Sequence, residues 1–140
     1  MSSTSFDHTA SAATNTALRV GAGVALVAAV ANSVVWTVAR LAGAELEVTA
    51  NDSTQDIGLP TVLATTLAPL ALATVALWVS RRKPSAWRVL AWVGLAIGVL
   101  SIVMPIAAEA SAGTTTALVA MHLITGTAWF ALVLRALSRR

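Results

Sequence analysis

The chain has 140 residues, of which 57% are hydrophobic and only 11% are charged, and its mean hydropathy is +0.80. These values exclude a soluble globular protein and predict one integral membrane domain, with the lipid bilayer as its first partner. The net charge of +3 does not indicate nucleic-acid binding, because the basic residues lie at the ends of apolar segments. The chain contains no cysteine, which excludes disulfides, thiolate metal sites and CxxC redox chemistry.

The N-terminal region combines a polar tail with the first long apolar segment. Residues 1 to 16 are rich in Ser, Thr and Ala without periodicity, which predicts a disordered cytoplasmic tail. Residues 18 to 40 are long enough to cross a bilayer as a helix. A signal peptide cleaved after Ala31 is the alternative interpretation. The apolar run continues to Ala39, beyond the length of a signal peptide, and this favours a retained membrane helix.

The first connection, residues 41 to 59, is the long one. Polar and apolar side chains alternate from Glu45 to Thr49, and turn-forming residues follow at positions 51 to 53. This pattern predicts a small β-hairpin that lies over the outer end of the protein. An irregular acidic loop is the alternative.

Three further apolar segments follow, at about residues 60 to 80, 87 to 108 and 115 to 135. The predicted fold class is therefore an all-α integral membrane protein, an antiparallel four-helix transmembrane bundle over residues 17 to 137. A short basic cytoplasmic tail follows at residues 138 to 140. Because the last two connections are short, the second, third and fourth helices are expected to pack as antiparallel neighbours.

The charges predict how the bundle is oriented. Basic residues cluster between the second and third helices and after the fourth, whereas acidic residues occupy the two opposite connections. By the positive-inside rule, both termini are cytoplasmic and the protein is a multi-pass component of the cell (plasma) membrane. The basic group comprises Arg81, Arg82, Lys83, Arg88, Arg135, Arg139 and Arg140, and the acidic group Glu45, Glu47, Asp52, Asp56 and Glu109.

Every predicted helix carries a polar residue at a similar depth, about 8 to 13 Å below its outer end. The inner halves of the helices carry almost none. We therefore expect one intramembrane polar site in the outer half of the bundle. Its candidate members are Asn32, Thr65, Ser101 and His122.

Two prolines lie at the level of this site. Pro69 and Pro105 each leave the carbonyl four residues earlier without its usual donor, which predicts helix kinks. Such kinks would open an outward-facing cup around the polar site, with Arg40 and Glu109 on its outer rim. The alternative is that the prolines only shape the bundle, as they commonly do in membrane helices.

Small residues on the third helix predict close helix packing. Gly94 and Gly98 form a G-x-x-x-G motif, which lets two helices approach. Asn32 and His122 lie on the corresponding stripes of the first and fourth helices. Both side chains are therefore expected to point inward, within reach of a mutual hydrogen bond.

His122 admits three roles. A neutral imidazole bonded to neighbouring polar groups is the favoured interpretation. A ligand-binding or proton-accepting role comes second, because an ionisable group inside a membrane is a functional candidate. Haem or metal ligation is disfavoured, since the bundle offers one histidine and no buried carboxylate. No metal site and no cofactor are predicted.

The residues from the outer loop to the fourth helix resemble a known sequence pattern. A long acidic, turn-rich loop is followed by a Pro-Ile-Ala-Ala end to the third helix at residues 105 to 108, a Thr/Ala-rich turn, and Leu-x-x-Met-His-Leu at residues 118 to 123. The chain thereby resembles an uncharacterised family, a domain of unknown function, of small four-helix membrane proteins that is largely actinobacterial. The resemblance implies four helices in a bacterial plasma membrane and carries no activity.

No catalytic residues are predicted, because no GxSxG, HExxH, aspartate pair, Walker loop or SxxK motif is present. The protein is therefore not expected to be an enzyme. The favoured function is that of a structural or accessory membrane component, which associates with itself or with other membrane proteins. The alternative is a binder or carrier of a small lipophilic molecule in the cup around Asn32, Ser101 and His122.

Overall fold

The structure is a computed structural model that describes the backbone of residues 4–50 and 53–139 and the side chains of residues 15–49 and 53–139. The described residues do not include residues 1 to 3 and 140, which belong to the two predicted tails, or the acidic Asp52. The elements follow in the order α1 Thr4–Leu41, β1 Glu47–Ala50, β2 Ser53–Asp56, α2 Leu59–Val79, α3 Pro84–Leu100, α4 Val103–Ala107 and α5 Ala112–Leu137.

Four helical segments in the described chain are long and apolar enough to cross a membrane, and each has at least 21 residues. This length corresponds to about 30 Å of helix, the thickness of the hydrocarbon core. Their outer faces are apolar, and Leu26 and Leu72 are 67% and 74% exposed. Such faces contact lipid in a bilayer. The predicted all-α, four-helix membrane architecture is confirmed by the segments Asn15–Leu41, Leu59–Val79, Pro84–Ala107 and Ala112–Leu137.

The first helix begins much earlier than the sequence predicted. Residues 4 to 16 were expected to be disordered, but they form the first part of α1, which starts at Thr4. Residues 4 to 20 contain neither glycine nor proline and include four alanines. Once the apolar part of a helix has formed, adding such residues costs little, because the unfavourable nucleation step is already complete.

The segment predicted as one helix over residues 87 to 108 is interrupted at Ser101 and Ile102. Pro105 has no N–H to donate to the Ser101 carbonyl, which instead accepts from the Met104 N–H at 3.3 Å. This shorter i to i+3 bond tightens the turn and separates α3 from α4. Pro69 has a different effect, because α2 continues through it as a single helix.

The helices do not pack in chain order. α5 lies between α1 and α3 and packs extensively against both, while α1 also packs against α2. α2 and α3 meet at only a few positions, although a short loop joins them. The expected packing of the second helix on the third is therefore largely absent. A short loop only holds two helix ends together, whereas the small-residue face of α3 is buried against α5.

The connection between α1 and α2 forms the predicted β-hairpin. β1 and β2 are antiparallel, and their register pairs Glu47 with Asp56 and Ala50 with Ser53. The connecting residues 51 and 52 lie outside the described residues. Thr49 also pairs with Glu109, in the loop between α4 and α5, through two backbone hydrogen bonds of 2.9 and 3.2 Å. The hairpin therefore rests on the α4–α5 connection.

The apolar core lies in the half of the bundle away from the hairpin. It is formed by side chains from α1, α2, α3 and α5, and its two tryptophans are its largest members. Its members are Ala17, Val24, Ala28, Leu70, Leu77, Trp87, Ala91, Trp129 and Val133. The buried polar residues of the bundle consequently lie between this core and the hairpin.

Candidate functional site

Asn32 joins three helices through one amide group. Its side chain is 2% exposed. The Nδ2 atom donates to Oγ1 of Thr66 on α2 at 2.9 Å and to Oγ1 of Thr125 on α5 at 3.0 Å. The Thr125 hydroxyl donates in turn to the Met121 carbonyl at 2.9 Å. We call Asn32, Thr66 and Thr125 the polar junction.

The polar junction leaves one buried acceptor unused. Oδ1 of Asn32 is inaccessible and has no hydrogen-bond partner among the described residues. The Thr125 hydroxyl already donates to a carbonyl, so it can only accept from the amide, and this fixes Nδ2 on the side of the threonines. The junction is thus a structural link between helices that carries no ionisable group.

His122 is not part of the polar junction. Its Nδ1 lies 2.7 Å from the Leu118 carbonyl, one turn earlier on α5. A carbonyl can only accept, so Nδ1 carries the proton and the ring is held by its own helix. Thr125, rather than His122, is the α5 residue that bonds to Asn32. The expected hydrogen bond between Asn32 and His122 is therefore replaced by the Asn32–Thr125 bond.

The other two candidate site residues also bond within their own helices. The Thr65 hydroxyl donates to the Thr61 carbonyl at 2.8 Å, and the Ser101 hydroxyl donates to the Ile97 carbonyl at 2.7 Å. Both bonds are exposed at the surface of the bundle. Of the four candidate residues, Asn32 alone belongs to the polar junction. The other members of the junction, Thr66 and Thr125, were not candidates in the sequence.

The sequence signal for Thr66 and Thr125 was present but weak. Thr66 falls four residues after Val62 and four before Leu70, and all three are buried on one stripe of α2. That spacing distinguishes Thr66 from the neighbouring Thr65. Thr125 follows His122 by three residues, and the sequence alone favours the histidine as the partner of Asn32.

The end of the bundle that carries the hairpin is closed. Leu46 is fully buried beneath the hairpin, and its N–H donates to Oγ1 of Thr114 at 3.0 Å. Nε1 of Trp36 donates to the Ile57 carbonyl at 2.7 Å, which holds the far end of the same loop. Leu46 adopts a positive φ of 55°, a conformation that non-glycine residues rarely adopt. Its burial and its hydrogen bond hold it there.

The predicted outward-facing cup around Asn32, Ser101 and His122 is consequently not formed. Of the two expected rim residues, Arg40 donates from Nη1 to the Glu45 carbonyl at 3.3 Å, and its guanidinium lies 5.8 Å from the centre of the Trp36 ring. Glu109 holds the hairpin through its backbone. These contacts fasten the outer loop to the bundle, so the two residues do not border an opening.

Two grooves are present elsewhere. One, of about 500 Å³, lies on the surface of the bundle between α1 and α2. Its polar residues Ser33 and Thr37 bond to carbonyls of their own helix. The other, of about 520 Å³, lies between α1 and α5 at the end opposite the hairpin and is lined by Arg19, Arg135 and Arg139. Neither groove is lined by Asn32, Ser101 or His122.

Gly94 and Gly98 pack against α5 of the same chain. A side chain at Gly94 would collide with the Trp129 ring, whose Nε1 donates to the Leu90 carbonyl at 2.8 Å. A Cβ at Gly98 would lie 2.9 Å from Cα of Gly126. The G-x-x-x-G motif therefore holds this bundle together and is not available to a second protein.

Within residues 15–49 and 53–139, no group of three or more His, Cys, Asp or Glu side chains is placed to hold a metal ion. Residues 12 to 139 match a family of unknown function, DUF6069. The chain belongs to this family. No curated protein and no solved structure matches the DUF6069 chain. Membership covers the whole membrane domain, including the hairpin and the polar junction.

Proposed function

We propose that this DUF6069 chain is a non-catalytic accessory component of the plasma membrane that presents a rigid acidic hairpin to a partner. Both termini are assigned to the cytoplasm and the hairpin to the outer side, in accordance with the positive-inside rule. The partner is another membrane protein or a second copy of the chain.

The observation that carries this proposal is the way the hairpin is fastened. Three hydrogen-bonded contacts hold it to different parts of the bundle: Leu46 to Thr114, Trp36 to Ile57, and Thr49 to Glu109. A fastened hairpin loses little conformational entropy when it binds, and this favours recognition.

The hairpin also offers a binding edge. β1 is flanked by β2 on one side and by Glu109 on the other, whereas the described part of the chain pairs no strand with the outer edge of β2. All four residues of β2 are exposed. An unpaired strand edge can accept a strand from another protein. The acidic side chains nearby favour a partner with a basic surface, and they are Glu45, Glu47, Asp56 and Glu109.

The interior supports an accessory role over transport. The core is formed by apolar and aromatic side chains, and the polar junction beside it is uncharged and centred on the buried Asn32 and Thr66. Secondary transporters place broken helices and ion-binding groups near the bilayer midplane. In the described chain the helix break lies near the hairpin end, at Ser101, and its hydroxyl bonds within α3.

Photo-crosslinking in native membranes tests this proposal. A photoreactive amino acid replaces Gln55 on β2, and in separate chains replaces the lipid-exposed Leu72 or Arg82 at the opposite end. We expect a discrete adduct from position 55 alone. Comparable adducts from all three positions would contradict a hairpin-specific partner, and an adduct of twice the chain mass would identify self-association.

A matched pair of variants at Thr114 tests whether the fastening matters. Thr114→Val removes the acceptor of the buried Leu46 N–H and should cost about 1 to 3 kcal/mol locally. Thr114→Ser keeps the acceptor. We expect the adduct from position 55 to decrease severalfold in the valine variant and to persist in the serine variant. Equal adducts in both would show that the partner does not need a rigid hairpin.

A further inference from the structure

The basic groove between α1 and α5 has the shape and charge of an amphiphile site. It has a volume of about 520 Å³ and lies at the end of the bundle opposite the hairpin. Arg19 and Gly23, four residues apart, line it from α1. Leu132 and Arg135 line it from α5, and Arg139 follows at the end of that helix. The groove is therefore built from one continuous stripe on each helix.

The groove is divided into a basic end and an apolar end. Arg19, Arg135 and Arg139 lie toward the end of the bundle, and Val20, Gly23 and Leu132 lie deeper along the helices. The groove extends along α1 from position 16 to Gly23, which corresponds to about 10 Å of helix. A headgroup at the basic end would thus be followed by the first part of an acyl chain along the apolar end.

Among the residues whose side chains the structure describes, no carboxylate lines this groove to balance the three guanidinium groups. All three arginine side chains are exposed. Bringing three like charges to one groove is unfavourable, and an anionic group between them removes that repulsion. Guanidinium groups form paired hydrogen bonds with phosphate oxygens.

We propose that this groove binds an anionic phospholipid, with its phosphate between Arg19 and Arg135 and one acyl chain along Gly23 and Leu132. Basic pockets between membrane helices are known to suit such headgroups. The apolar end distinguishes a lipid from free phosphate, which would use the arginines alone. The proposal does not depend on the hairpin having a partner, because the two features lie at opposite ends of the molecule.

Native mass spectrometry of the full chain in detergent tests the charge requirement. The probes are phosphatidylglycerol and phosphatidylcholine with identical acyl chains. For the wild type we expect about tenfold tighter binding of phosphatidylglycerol, and about tenfold loss of that binding in the double variant Arg19→Gln, Arg135→Gln. The control Arg82→Gln, Arg88→Gln removes the same charge outside the groove and should change binding less than about twofold. Equal losses in both double variants, or equal binding of both lipids, would overturn the proposal.

Gly23 provides an independent test of the acyl chain. A Cβ at this position meets nothing within 4 Å and Gly23 lines the groove, so we expect the side chain of Gly23→Leu to extend into the apolar end. We expect this variant to bind phosphatidylglycerol about fivefold more weakly, because it occupies the volume of the chain. Unchanged binding would overturn the proposal. So would binding of soluble glycerol 3-phosphate as tight as that of the lipid, which would identify a phosphate site. An unchanged circular dichroism spectrum confirms that each variant is folded.

Discussion

At the scale of single residues, Asn32 links three helices in the half of the bundle nearer the hairpin. It is the buried amide that connects α1 to both α2 and α5. Water is scarce in the membrane interior, so an amide there must find protein partners. The energetic value of such bonds is nevertheless modest, because in the unfolded state within the membrane the same groups also find partners.

Asn32→Ala should lower the free energy of unfolding by about 1 to 3 kcal/mol, because it removes two interhelical hydrogen bonds and leaves a small cavity. The measurement is titration of the detergent-solubilised protein with sodium dodecyl sulfate, followed by tryptophan fluorescence. Ser33→Ala is the matched control, since the Ser33 hydroxyl bonds only to the Ala29 carbonyl of its own helix. It should cost less than about 0.5 kcal/mol. Equal losses in the two variants would show that the polar junction adds nothing to stability.

The same residues explain why only one member of the polar junction could be predicted from the sequence. A serine, threonine or histidine in an apolar helix can bond to the carbonyl one turn earlier, and Thr65, Ser101 and His122 all do so. The side chain of Asn32 extends to two other helices, and which threonines it meets depends on helix rotation. Sequence spacing gives the depth of a polar residue and leaves its partner undetermined.

At the scale of helices and strands, α3 and α5 approach each other closely where two glycines face each other. Gly98 and Gly126 face each other so closely that a Cβ on Gly98 would lie 2.9 Å from the backbone of Gly126 and 3.2 Å from the His122 carbonyl. Backbone atoms cannot move aside as the end of a flexible side chain can. The two helices would therefore have to separate to admit even one methyl group.

Gly98→Ala should destabilise the protein by about 1 to 3 kcal/mol, because the added methyl group forces α3 away from α5. Gly23→Ala makes the same substitution within α1, where a Cβ meets nothing within 4 Å. It should be neutral or stabilise by up to about 1 kcal/mol, because alanine favours a helix more than glycine does. Unfolding in sodium dodecyl sulfate measures both. Opposite signs for the two variants are the expected result, and a Gly98→Ala variant as stable as the wild type would contradict the close α3–α5 contact.

The positions of the helices and strands could largely be predicted from the sequence. Which helices pack against one another could not. The start of α2 and the end of α5 lie within two residues of the predicted bounds, since apolar length determines where a membrane helix ends. The hairpin followed from the alternation between Glu45 and Thr49. The absence of close packing between α2 and α3 could not be foreseen, because it depends on which glycine face meets which helix in three dimensions.

At the scale of the whole molecule, the two ends carry opposite charge. The hairpin end presents the acidic side chains of the outer loop, and the other end presents the arginines of the α2–α3 loop, of α1 and of the C-terminal turn of α5. Translocation of short basic loops is disfavoured, so this asymmetry should determine a single orientation in the membrane. The same asymmetry separates the end that is proposed to bind a partner from the end that is proposed to bind a lipid.

Single cysteines can test this orientation directly, because the chain contains no cysteine of its own. Gln55→Cys places a thiol on exposed β2, and Ser138→Cys places one just beyond α5. In intact cells, a membrane-impermeant maleimide should label the hairpin variant and leave the C-terminal variant unlabelled until the membrane is permeabilised, because both termini are proposed to be cytoplasmic. Labelling of both variants in intact cells would mean that the chain inserts in two orientations. Labelling of the C-terminal variant alone would reverse the topology, and the hairpin would then have to find its partner in the cytoplasm.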